Sequence, residues 1–159
     1  MAIKHPQAFG RRFVAAVVVL IGTLMLVAAA SLVGKAQAEV ITVHMSPYCG
    51  CCGNWVEHLQ RSGFTIEKRM VEDLAPVRTR YGVPADLASC HTAVVGDYVV
   101  EGHVPAADIR RLLEERPPAR GLAVPGMPAS APGMETVGDE PYAVLLFEGS
   151  GAATVFARH

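Results

Sequence analysis

The chain lacks the signatures of the common hydrolases. It has no Gly-x-Ser-x-Gly elbow and no His-Glu-x-x-His pair, so neither standard arrangement for activating a serine or a zinc-bound water is present. The glycines of 121–133 are not followed by Lys-Ser/Thr, so there is no phosphate-cradling loop. No run of Lys or Arg exceeds a pair, which removes a nucleic-acid footprint. Beyond residue 38 no second long apolar segment occurs. Cysteine is scarce too, but it is concentrated. Three of the four sit in Cys49-Gly50-Cys51-Cys52, and the fourth is Cys90, beside His91.

The N-terminal segment says where these thiols reside. Lys4, Arg11 and Arg12 form a positive region, and Phe13 to Gly34 carries no charge over 22 residues. Ala36-Gln37-Ala38 then supplies a cleavage signature, which makes 1–38 a signal peptide and Glu39 the first mature residue. The apolar run is also long enough to span a bilayer. An uncleaved anchor would leave the domain on the same outer side and would be its one link to a membrane. In an exporting bacterium that side is the periplasm. Residues 39–159 number 121, one domain by length. They hold ten of the 14 basic residues and all 15 acidic ones, a formal charge of −5. In an oxidising compartment, free thiols become disulfides unless a metal or a reductant holds them.

The order of elements predicts an α/β domain. Val40 to Met45 is rich in β-branched residues and reads as a strand, ended by Ser46-Pro47. A helix follows over about 52–62, with Trp55, Val56 and Leu59 on one face and Gly63 at its end. Phe64 to Met70 reads as a second strand, and Asp73 can cap a short helix toward Tyr81. Thr92–Val95 and Tyr98–Val100 flank a Gly96-Asp97 turn as a hairpin. Pro105 to Glu115 reads as a helix, and Tyr142–Phe147 with Thr154–Phe156 as a last hairpin. This β-α-β-α-β-β-α order is that of a thioredoxin-like, three-layer α/β/α domain with a C-terminal extension. Such a fold brings the loop holding Cys49 to Cys52 near the loop holding Cys90 and His91. The stretch Gly121 to Glu135 holds three Gly, three Pro, Met127 and Met134. It reads as a loop, yet one apolar enough to pack over something.

Two chemistries compete for the thiols. Cys49 and Cys52 at the start of a helix have the spacing of a redox pair, since the helix N-terminus stabilises a thiolate. Disulfide exchange needs only those two, and Cys51 and Cys90 are then superfluous. Three or four convergent sulfurs instead suit a soft metal. His103 lies on a loop from which it could line the site, and His91 could ligate or support a ligating sulfur. His44 could face either way, His58 reads as a surface residue and His159 as a mobile end. Met127 and Met134 offer thioethers, which suit Cu(I). Cysteine, histidine and methionine together favour copper over zinc, with zinc a substitute on the same thiolates.

The segments SPYCGCCGNWVEHLQRSGF, GVPADLASCHTAVVGDYVVEGHVPAADIRRLL, RGLAVPGMPASAPGME and PYAVLLF resemble the DUF411 family of exported, CopG-type metal-binding proteins, across residues 40 to 157. The resemblance implies a thioredoxin-like fold and a part in copper resistance in the bacterial envelope. It implies copper ligands at Cys49, Cys51, Cys52 and Cys90, with His103 and the methionines Met127 and Met134 in matching motifs. A further envelope copper protein is the partner such a role implies. Thioredoxins themselves place a cis-proline before the third strand, and Ser89-Cys90-His91-Thr92 has none. The alternative reading is a thiol–disulfide oxidoreductase using Cys49 and Cys52.

Overall fold

The computed structural model describes residues 39–134 and 139–159; the expected signal peptide lies outside them. Seven strands form a single sheet in the order β2-β1-β3-β4-β5-β6-β7. Strand β1 (Val40–Met45) runs parallel to β2 (Thr65–Met70) and antiparallel to β3 (His91–Val95). Strand β4 (Tyr98–Glu101) returns beside β3, and β5 (Gly121–Ala123) runs parallel to β4. The antiparallel pair β6 (Ala143–Phe147) and β7 (Ala153–Arg158) completes the sheet. The helices are α1 (Gly50–Arg61), α2 (Ala75–Tyr81) and α3 (Ala106–Glu115). Among the described residues no helix is long and apolar enough to cross a membrane.

Strand alternation divides the core into two layers. Ile41, Val43, Ala93, Val95, Val100 and Leu122 pack with Trp55, Val56, Leu59, Ile109 and Leu112 of α1 and α3. On the opposite face Val99, Ala123 and Phe147 pack with Leu87 and, behind it, Tyr81 at the end of α2. The architecture is therefore the expected three-layer, thioredoxin-like one. The apolar positions at three- and four-residue spacing explain α1, whose buried residues are Cys52, Trp55, Val56 and Leu59. Asp73 Oδ1 accepts the Ala75 amide at 2.8 Å, one residue ahead of Leu74, the N-cap of α2.

The stretch from Gly121 corrects the sequence expectation. Its first three residues are a fully buried strand rather than loop, and through that strand the expected last hairpin joins the sheet. A three-residue strand bounded by Pro and Gly offers too little periodicity to be recognised. Gly121 is needed there because a Cβ would meet the Val99 carbonyl oxygen at 1.8 Å. The expectations for two histidines also change. His58 is half-buried, and its Nε2 accepts the Ala106 amide at 3.2 Å, which joins α1 to the start of α3. His159 is held, with Nε2 2.7 Å from Asp108 Oδ2 and its ring stacked on Tyr142.

Trp55 is the largest fully buried side chain, and its Nε1 donates to the Val104 carbonyl at 2.9 Å. Trp55→Phe keeps an aromatic ring but strands that carbonyl and leaves a gap. The variant should lose about 2–4 kcal/mol of stability. Urea unfolding of both proteins, compared at equal m-value, measures the loss.

Candidate metal centre

The site forms where β1 gives way to α1. Ser46-Pro47-Tyr48 turns the chain, and the Cys49 amide closes that turn on the Ser46 carbonyl at 3.2 Å. Cys49 is the N-cap of α1, with no side-chain cap and no acidic residue in the first turn. The first amides of the helix are therefore not taken by a carboxylate, and they favour negative charge on sulfur. Cys52, one turn in, is fully buried. Cys49 and Cys52 are joined as a disulfide, while Cys51 and Cys90 are free thiols, both half-buried. Cys49 Sγ is 3.5 Å from Cys51 Sγ, and Cys52 Sγ is 3.5 Å from the Cys90 carbonyl oxygen.

The four sulfurs lie within 4.8 Å of one another. The β1–β3 pairing achieves this: Met45 stands opposite His91, so the residues just past the end of β1 face those just before β3. Among the described residues no carboxylate belongs to this group, which makes it a soft donor set. A second grouping shares Cys90 with His91 and His103. His103 Nδ1 is 2.7 Å from the Pro132 carbonyl, an acceptor only, so Nδ1 carries the proton. Its Nε2 lone pair then faces Cys90 Sγ at 3.0 Å. His91 is fully buried, 4.2 Å from the Trp55 ring and 5.0 Å from the His103 ring between centroids. Its Nδ1 is 3.6 Å from Cys90 Sγ, and its Nε2 has no hydrogen-bond partner among the described residues.

Protonation follows from this crowding. Burial, and next the neighbouring Cys51, push the Cys90 thiol up to about 12. Burial lowers His103, partly opposed by its bond to Pro132. Burial, with the charge His103 would carry, lowers His91 to about 3. Without a cation Cys90, His91 and His103 are therefore neutral at ordinary pH. A soft cation would reverse that preference, because thiols ligate as thiolates and release their protons.

The loop that follows β5 reaches this site through its backbone. Gly126 O accepts from Ser89 Oγ at 2.6 Å, and Pro132 O receives the His103 proton. Gly133, at φ +86°, lies so close that a Cβ would meet the Trp55 amide nitrogen at 2.5 Å. Met127 is 60% exposed and Met134 half-buried, so the loop's anchors are carbonyls and glycine rather than sulfur. His44 faces away from the cluster, its ring 5.7 Å from Tyr81.

Sequence reasoning missed a set of supporting residues. Glu101 is fully buried and pairs with Arg78 at 2.9 Å. It also accepts the Ser89 amide at 2.8 Å and Thr92 Oγ1 at 2.6 Å. The available signal was a lone carboxylate ending the strand Tyr98-Val99-Val100-Glu101, directly before Gly102.

No curated protein matches the chain. The family described as "Protein of unknown function, DUF411" matches residues 87–134. Two solved structures, "Copper resistance protein copG- Form 1" and "Copper resistance protein copG- Form 2", superpose with TM-scores of 0.72 at 45% identity. The matches cover 77% of this chain and 98% and 99% of theirs.

Acid should destabilise the fold through the buried imidazoles. His91 is neutral in the folded state down to about 3, whereas an unfolded histidine protonates near about 6.5. Between those values the unfolded chain binds the extra proton. Stability is therefore complete above the unfolded value and declines as pH falls, by about 1.4 kcal/mol per pH unit for one such group. His91→Phe keeps a ring against Trp55 and removes the titration. Denaturant unfolding from pH 7 to pH 4 should show a shallower decline for His91→Phe than for the parent.

Proposed function

The chain belongs to the DUF411 family, with the CopG-type copper resistance proteins, and from that premise we propose that it is an exported protein that captures Cu(I) on the thiolates of Cys49, Cys51, Cys52 and Cys90. One observation carries the reading: four sulfurs converge within 4.8 Å, with no hard ligand among them. Soft thiolates select Cu(I), and zinc is accepted on the same atoms as a substitute. His103 adds a nitrogen donor on the Cys90 side, where its Nε2 already faces the sulfur. Met127 and Met134 supply thioethers on the loop that covers this side. The leader 1–38 sends the domain 39–159 to the periplasm, where it holds copper or hands it to another envelope copper protein.

The Cys49–Cys52 disulfide favours a second reading, thiol–disulfide exchange. A dithiol donor would attack one sulfur, form a mixed disulfide and leave as its own disulfide. Cys49 and Cys52 would each keep one electron pair and gain one proton. The two readings meet in one consequence: the closed form offers two thiols and the open form four, so reduction of this bond raises the capacity for Cu(I).

Anaerobic competition of the fully reduced chain against a Cu(I) chelator tests the first reading. Cys51→Ser and Cys90→Ser should each weaken Cu(I) binding by more than about tenfold while leaving the Cys49–Cys52 couple able to cycle. Normal Cu(I) affinity in both, with disulfide reductase activity lost in Cys49→Ser, would give the site to disulfide exchange.

The methionines are separable from the cysteines. Met127→Leu with Met134→Leu keeps most of the apolar volume and removes both thioethers. The double variant should stay folded yet hold Cu(I) more weakly or with an altered absorption spectrum. Unchanged affinity and spectrum would assign both residues to packing.

A further inference from the structure

Cys90 sits in a segment, residues 88–90, that belongs to no helix or strand. It has no proline to stiffen it, and the chain has no cis peptide among its described residues. Even so, the residue before Cys90 is bound at every polar group. The Ser89 amide donates to Glu101 Oε1 at 2.8 Å, its carbonyl accepts from Arg78 Nη2, and its hydroxyl donates to Gly126 O at 2.6 Å. Arg78 Nε donates to the same Glu101 oxygen at 2.9 Å. One ion pair, contributed by α2 and β4, thus grips Ser89 from both its N–H and its C=O. Gly102, next to Glu101, completes the grip by shape. A Cβ there would meet Ser89 Oγ at 2.6 Å and Val124 O at 2.5 Å.

A buried ion pair is an expensive way to stabilise a fold, because two well-packed apolar side chains commonly do as well or better. What it supplies instead is direction. The guanidinium is a planar fork whose donors have fixed relative positions. Here one prong meets Glu101 and another meets the Ser89 carbonyl. Glu101 has no exposed surface, and Arg78 keeps only 21% of its side-chain surface, so water competes little for either.

We propose that Arg78 and Glu101 are positioning residues for Cys90: through Ser89 they hold its sulfur among the other three and against His103. The chain uses this buried pair where a rigid proline would otherwise fix the segment. The positioning deepens the metal-binding reading but does not require it, since it governs the free thiol whether or not copper binds.

The test uses the full chain with Cys49–Cys52 closed, so that Cys51 and Cys90 are the free thiols. Iodoacetamide labelling is resolved by peptide mass for each cysteine. In Arg78→Lys, which keeps the charge opposite Glu101 but not the fork, labelling of Cys90 relative to Cys51 should rise about tenfold. Glu101→Gln should do the same. Thr92→Val removes a bond to Glu101 but none to Ser89, so it should lower stability and leave the ratio alone. In the reduced, Cu(I)-loaded chain, the thiolate absorption of Arg78→Lys should move toward that of Cys90→Ser. An unchanged labelling ratio in folded Arg78→Lys would overturn the proposal, as would a ratio that rises equally in Thr92→Val. If Glu101→Gln fails to fold, Arg78→Lys decides. If the parent retains no Cu(I), the copper reading falls and the labelling ratio still decides the positioning.

Discussion

Four sulfurs within 4.8 Å of one another cannot all be charged unless something positive joins them. At that separation a pair of thiolates repels by about 3 kcal/mol at an effective dielectric near about 20, and burial adds a desolvation penalty to each. The protein has two ways out. It can close Cys49–Cys52, as here, which leaves two thiols, one of them raised to about 12. Or it can accept a soft cation that draws all four sulfurs into thiolate form. Disulfide and metal are thus alternative solutions to one electrostatic problem, which is why a single motif reads both as a redox pair and as a ligand set.

The surroundings keep both solutions open. The uncapped start of α1 lends its amides to whichever sulfur is negative. On the Cys90 side the imidazoles are held neutral by burial. The Pro132 carbonyl fixes the His103 tautomer so that a lone pair, not a proton, faces the sulfur. Support from an outer partner of this kind is typical of ligating histidines. The loop after β5 matters for its backbone as much as for its side chains, since two of its carbonyls set the orientation of Ser89 and His103.

Much of the fold was readable because its elements carry strong local signals. Strand β1 was bounded correctly by its β-branched run, and α1 was recognised by its apolar face and the Gly63 stop, although it starts at Gly50, two residues before the expected 52. The Cys49 to Cys52 motif announced itself by spacing, and Cys90 by being the remaining cysteine. Strand β5 was not readable, because three residues cannot display a period and its glycine looked like loop chemistry. His58 looked like a surface residue and His159 like a mobile end because their partners, the Ala106 amide and Asp108, are 48 and 51 residues away.

The sequence by itself determined the donor chemistry, meaning which atoms are soft, how many there are, and that three fall within four consecutive positions. Apart from β5 it also determined the order of strands and helices, since periodicity and breakers are local properties of the chain. Tertiary structure alone decided that Cys90 joins the other three, because that contact follows from the register of β1 against β3. It alone decided that Glu101 and Arg78 spend buried charge on Ser89. A hydrogen-bond partner 12 or 23 residues away leaves no periodic trace in a sequence, and only the sheet and the helix above it bring such groups into reach.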